Sequence, residues 1–259
     1  MDYTDLHIHL LPGMDDGPAD MEESLALLRQ AFEAGTRRFC ATPHFGPPHG
    51  FWERRRARRL VEDLEARAAE AGWPAEIRLG AEVSLFPEIV EEARKGTLPA
   101  LGSGKYLLLE TPAGVLPPHF PEFLFRFRST GLVPVLAHPE RTEVFWRHPE
   151  RMRDLVGAGA LIQVTAGSLV GEGGRKVRRT ARRFLEAGWV HALASDGHGV
   201  PARLLDLSEA EREAAGLLKD PARARQLVTE GPWRLMGGDR SPRKEGDEDA
   251  SPPEGRDAS

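Results

Sequence analysis

Val133-Pro134-Val135-Leu136-Ala137-His138 is a run of small and apolar residues closed by an imidazole. It reads as a buried strand with a polar end, and the same design recurs along the chain. Asp5–His9, Arg38–Thr42, Ile77–Val83, Tyr106–Glu110, Val133–His138, Leu161–Thr165 and His191–Ser195 are the candidate strands. Helical patterns lie between them, the first with Asp20 as N-cap, Glu23 three residues on, a Leu25/Leu28/Phe32 stripe and Gly35 as the stop. A second runs from about Phe51 to Ala71, and others cover roughly Pro87–Lys95, Pro121–Ser129, Glu150–Val156, Arg175–Ala187 and Ala222–Thr229. Repeated strand–helix units predict an α/β fold with a mainly parallel sheet and outer helices. Seven strands can form an open doubly wound sheet or a closed barrel, and periodicity does not choose between them.

The strand ends carry the chemistry. Strand 1 ends in His7-Ile8-His9, and residues i and i+2 of a strand point to one side. Other ends reach Pro43-His44, Ala81-Glu82, Glu110, His138 and Ser195-Asp196-Gly197-His198. Six of the seven strands thus end in a potential ligand, at the end where parallel α/β folds place their sites. The set holds five imidazoles (His7, His9, His44, His138, His198) and three carboxylates (Glu82, Glu110, Asp196), with Asp15 and Asp16 as further candidates after strand 1. Nitrogen and carboxylate donors suit zinc, manganese or ferrous iron, and the set is too large for one ion. Clustered ions of this kind activate water and clamp a phosphate. Arg141, in His138-Pro139-Glu140-Arg141, and Arg203, in the loop after His198, fall beside the set, and a guanidinium can grip two phosphate oxygens at once.

Composition narrows the alternatives. The 259 residues suffice for one large α/β domain or two small ones. Lys+Arg is 35 against Asp+Glu 40, a net charge of −5, which argues against general nucleic-acid binding. One cysteine excludes an intrachain disulfide, and the acidic N-terminus and short apolar runs predict a cytoplasmic protein with no signal peptide or membrane insertion. Residues 237–259 have no apolar periodicity and seven acids to four bases, so they read as a disordered acidic tail after a folded domain over 1–236. A cysteine-dependent phosphatase needs Arg six residues after its Cys; after Cys40 that position is Gly46, so Cys40 reads as a buried strand residue. No phosphate-binding Gly-x-x-x-x-Gly-Lys-Ser/Thr loop occurs. Phe45, Phe51, Trp52 and Phe120 are expected near the site, either receiving an aromatic ring or packing. Arg54–Arg59 reads as a solvated helix face, His49, His119 and His148 as surface residues, and His191 as structural.

His7-Ile8-His9, Leu11-Pro12-Gly13-Met14-Asp15-Asp16-Gly17-Pro18, Ala41-Thr42-Pro43-His44, Gly80-Ala81-Glu82-Val83, Ala137-His138-Pro139-Glu140-Arg141 and Ala194-Ser195-Asp196-Gly197-His198 together resemble the polymerase-and-histidinol-phosphatase (PHP) superfamily. Within it they are similar to the metal-dependent protein-tyrosine phosphatases of bacterial capsule and exopolysaccharide loci; Gln163–Leu169 and Gly188–His191 fit as well. The resemblance covers about residues 2–236. It implies a distorted (β/α)7 TIM-like barrel holding three divalent ions, manganese first, with iron or zinc as alternatives. By motif position it assigns His7, His9, Glu82 and Asp196 to one ion; Glu82, Glu110 and His138 to a second; and Asp16, His44 and His198 to a third. It assigns phosphate binding to Arg141 and Arg203, and leaves Thr165 without a role. The implied reaction is phosphomonoester hydrolysis on a phosphotyrosine protein, the tail of a bacterial tyrosine kinase of polysaccharide synthesis. The alternatives are a histidinol-phosphate or other small-molecule phosphatase, and a non-catalytic metal-containing regulatory module. No motif sets an oligomeric state.

Overall fold

The computed structural model describes residues 2–112, 114, 116–199 and 206–238. Strand β1 (Tyr3–Ile8) pairs with β2 (Thr36–Ala41), and β2 with β4 (Glu76–Leu79). A second sheet runs β3 (His44–Phe45), β5 (Glu82–Val83), β6 (Tyr106–Glu110), β7 (Val133–Ala137), β8 (Leu161–Thr165) and β9 (Ala192–Ala194). Every pair is parallel. The result is a mixed α/β fold with parallel sheets. The chain also joins its first and last strands: His9 N–H donates to Gly197 O at 2.9 Å and Asp196 N–H to His7 O at 2.8 Å.

The expected strand over Ile77–Val83 is two pieces, β4 and β5, parted at Gly80-Ala81. Gly80 is pressed between β2 and Leu101: a Cβ there would lie 2.8 Å from Cys40 Sγ and 3.0 Å from Leu101 Cδ2. β3 is additional to the expected strands, because two residues carry no readable period. Pro134 lies inside β7 without disrupting it. Val133 N–H donates toward β6, through Lys105 O at 2.8 Å, so position 134 faces β8, whose pairing begins only at Val135↔Leu161.

Helices cover the strands. Helix α1 (Met21–Glu33) starts where expected: Asp20 accepts from Glu23 N–H at 3.0 Å, while Glu23 accepts from Ala19 N–H at 2.8 Å. It buries Leu27, Leu28 and Ala31 against α2 (Arg54–Glu70), each buried leucine worth about 1.5–3 kcal/mol. α2 begins at Arg54 rather than Phe51, and its run Arg54–Arg59 is exposed apart from Ala57. The helices Ile89–Lys95 (α3), Phe120–Arg128 (α4), Glu143–Arg147 (α5), Met152–Gly157 (α6) and Ala166–Val170 (α7) follow. Then come Gly174–Glu186 (α8), Leu207–Leu218 (α9), Pro221–Gln226 (α10) and Glu230–Leu235 (α11). Phe120, expected beside the site, is buried in the core. No helix among the described residues is long and apolar enough to cross a membrane.

Cys40 is buried in β2, and burial pushes its thiol up to about 12. A thiol held neutral and out of reach is no nucleophile. Cys40→Ala should keep turnover within about twofold and lose about 1 kcal/mol of stability, and iodoacetamide should leave the folded wild-type protein active. Turnover and melting curves check both.

Candidate metal centre

Asp16, His44, Glu82, Glu110, His138, Arg141, Asp196 and His198 line one open cleft of about 410 Å³. His7 and His9 are fully buried and meet it through Glu82 and Asp196. The structure thus gathers the described sequence candidates at the C-terminal ends of the strands. Arg203 lies outside the described residues.

Two overlapping groups could each hold a metal ion. Donor atoms of His7, His9, Glu82 and Asp196 all lie within 4.8 Å of one another, as do those of His9, Asp16, His44 and His198. Glu82 is the hub. Its Oε2 is 3.2 Å from His7 Nε2, 3.5 Å from His9 Nε2 and 3.3 Å from His44 Nδ1, and its Oε1 is 2.8 Å from His138 Nε2. Asp196 Oδ1 lies 3.3 Å from His7 Nε2, while its Oδ2 accepts from Arg141 Nη1 at 2.5 Å. Asp16 Oδ1 sits 3.5 Å from His44 Nε2 and 3.4 Å from His198 Nε2. Glu110 stands at the edge of the cleft, where Ser84 Oγ donates to its Oε2 at 2.8 Å.

The sequence places Asp15 among possible ligands; the structure gives it different work. Its Oδ2 is 2.6 Å from His9 Nδ1 and accepts from His44 N–H at 2.8 Å, and its Oδ1 accepts from Gly17 N–H at 3.0 Å. A carboxylate in that position orients a metal-binding imidazole and leaves Nε2 for the ion. Gly17 permits the tight loop, since a Cβ there would come within 2.8 Å of His9 O. His49, expected as an ordinary surface residue, is exposed but stacks on His44 with ring centroids 4.0 Å apart. Phe51 is 62 % exposed, edge-on to Phe45 and Phe86, and Trp52 Nε1 donates to His44 O at 2.9 Å.

The electrostatics call for a cation. Burial opposes charge on His9, yet the hydrogen bonds and charges of Asp15 and Glu82 outweigh it and raise His9 to about 10. His138 rises to about 9 in the same way, with burial overcome by Glu82 and Asp196. Burial likewise disfavours the Glu82 carboxylate, but His7 and His138 hold it well below the usual range. Asp15 is lowered to about 2, with burial outweighed by His9. In the other direction, burial lowers His44 and His198. Without an ion, protons on His9 and His138 supply the positive charge that buried carboxylates need. His44 Nδ1 and Glu82 Oε1, both in the donor cluster, are among the buried polar atoms with no aligned hydrogen-bond partner. Imidazole and carboxylate donors converging on shared points fit divalent ions of the manganese, iron and zinc type.

Comparison with known proteins agrees with this geometry. Residues 3–236 match the family model described as "Capsular polysaccharide synthesis, CpsB/CapC". The tyrosine-protein phosphatase YwqE of Bacillus subtilis (strain 168) is 33% identical over 208 residues, 80% of this chain and 81% of that protein. The tyrosine-protein phosphatase CpsB of Streptococcus pneumoniae is 30% identical over 206 residues, 77% of this chain and 84% of that protein. A crystal structure from the pair YwqE and CpsB, described as metal-dependent tyrosine phosphatases, superposes with a TM-score of 0.83 at 30% identity, covering 92% of this chain and 94% of that one. The chain belongs to the CpsB/CapC family of capsular polysaccharide synthesis.

Proposed function

We propose that this chain is a metal-dependent protein-tyrosine phosphatase whose substrate is the phosphorylated tail of a bacterial tyrosine kinase of polysaccharide synthesis. The observation that carries the reading is the pair of overlapping donor groups in a cleft with Arg141 beside them. The relatives' phosphatase names supply the substrate class. In this reading the metal ligands are His7, His9, Asp16, His44, Glu82, Glu110, His138, Asp196 and His198, and the ions are three, with manganese preferred to iron or zinc. The parallel strands, with the last joined to the first through Gly197 and His9, support a distorted seven-staved barrel, each of β2/β3 and β4/β5 counting as one stave. The catalytic domain spans 1–236.

The chemistry such ions supply when bound is activation of water and neutralisation of phosphoryl charge. The protein's own groups do the rest. Arg141 reaches the cleft from the turn after His138 and offers a fixed positive fork to the phosphoryl oxygens. Arg203 is proposed as its partner from its place in the sequence. The buried floor keeps bulk water from Glu82 and Asp196, which strengthens the charge interactions they make. A phenolate is a fair leaving group and asks for little proton donation.

The test is hydrolysis by manganese-loaded protein of a phosphotyrosine peptide against histidinol phosphate, with a chelated control. The peptide should win by at least about tenfold in kcat/KM, a difference of about 1.4 kcal/mol, and the chelator should abolish turnover. A win for histidinol phosphate would overturn the substrate, and no cleavage of either would favour the non-catalytic module.

A further inference from the structure

We infer that Gln163 is a positioning residue of the metal centre, fixing the imidazole of His7 and the turn at His138 with a single amide oxygen. Within the second sheet β8 is the strand whose end supplies none of the candidate ligands, and it lies between β7, which precedes His138, and β9, which precedes Asp196. Gln163 is fully buried in it. Its Oε1 lies 3.0 Å from His7 Nδ1 and accepts from His138 N–H at 3.2 Å.

The second contact settles the first. A backbone N–H can only donate, so the amide atom facing it is the oxygen. His7 Nδ1 faces that same oxygen and therefore carries a proton. His7 Nε2 is thereby directed at Glu82 Oε2 and Asp196 Oδ1, 3.2 and 3.3 Å away. The same oxygen steadies an awkward backbone. His138 has φ 32° and ψ 48°, a left-handed conformation that few non-glycine residues adopt. That turn aims His138 Nε2 at Glu82 Oε1 and starts the Pro139–Arg141 turn. Asp15 does for His9 what Gln163 does for His7, so both histidines of the His-x-His pair present Nε2 to one point.

The inference rests on His7 and His138 being ligands, and its test separates the two claims. Gln163→Leu removes the acceptor at similar volume; Gln163→Glu keeps an oxygen for both donors. Manganese and zinc affinity, measured by chelator competition with bound metal counted by mass spectrometry, should fall 10- to 100-fold in Gln163→Leu, with a wild-type circular dichroism spectrum. Excess metal should restore turnover, and Gln163→Glu should bind within about fivefold of wild type. In zinc-loaded wild-type protein, nitrogen-15 NMR should show a slowly exchanging proton on His7 Nδ1, a reading that needs no variant to fold. Metal affinity within twofold of wild type in Gln163→Leu, an equal loss in Gln163→Glu, or a bare His7 Nδ1 would each overturn the inference. A wild-type protein that binds neither ion would overturn the ligand assignment itself, and the inference with it.

Discussion

Glu82→Gln should empty the metal centre and abolish turnover while the chain still folds. Glu82 is buried, and its two oxygens face four imidazoles, those of His7, His9, His44 and His138. Glutamine keeps the shape but removes the charge and replaces one acceptor oxygen with an N–H₂ donor aimed at a ring nitrogen. Removing one partner of a buried charge set costs about 3–5 kcal/mol, which is about 10²–10⁴-fold in ion affinity. The metal-free protein supplies a second, independent readout. Glu82 has its carboxyl held below the ordinary range by His7 and His138, against the opposing effect of burial. A depressed carboxyl contributes stability above its unfolded pKa, and the contribution disappears as pH falls through the folded value. At pH 7 the metal-free variant should therefore melt below metal-free wild type, and the gap should close in acid. Bound metal counted by mass spectrometry, turnover and melting at the two pH values check this. Wild-type metal content in the variant would remove Glu82 from its proposed place as hub.

The candidate ligand positions are legible in the sequence through two contrasts, one of alternation and one of residue type at strand ends. His7 and His9 alternate across Ile8 in a buried strand, so their convergence follows from strand geometry alone. The abrupt change from apolar run to Glu110, His138 or Asp196 marks strand ends that parallel folds bring to one side. What stayed hidden had no such contrast. Gln163 is neutral and sits mid-strand, so nothing in the one-dimensional pattern separates it from an ordinary core amide. Asp15 and Asp16 are adjacent carboxylates that strand and helix periods leave equivalent; the family resemblance picks out Asp16, and the loop path shows that Asp15 meets His9 while Asp16 faces the cleft. Phe120 looked like a loop aromatic but is buried in α4, because Phe120, Leu124 and Phe127 form an i, i+4, i+7 stripe. Helix α9 escaped notice because its buried face is Leu207, Ala210 and Ala214, and alanines give weak hydrophobic contrast.

Arg141→Ala should cost about 10²–10³-fold in kcat, as loss of a preorganised donor to transition-state charge does elsewhere, while leaving the ions in place. The Arg141 side chain is 43% exposed, in contrast to that of Asp196 at 3%, so it borders the cleft rather than the core. Its root is firmly held: buried Glu140 accepts from Thr165 N–H at 3.0 Å through its side chain and from Trp146 Nε1 at 2.8 Å through its carbonyl. Arg141 Nη1 meets Asp196 Oδ2, whereas Asp196 Oδ1 faces His7 and His9. One carboxylate thus serves the arginine on one side and the donor cluster on the other. The division makes the two possible roles separable. If Arg141 binds the phosphoryl group, its removal lowers kcat, weakens inhibition by inorganic phosphate and spares metal content, with Arg141→Lys recovering only part because a point charge lacks the planar fork. If Arg141 matters only by steadying Asp196, metal affinity falls in step with turnover and excess manganese rescues both. Phosphate inhibition and bound metal, measured on the same preparations, tell these apart, and the half-exposed Arg141 side chain lining the cleft favours the first.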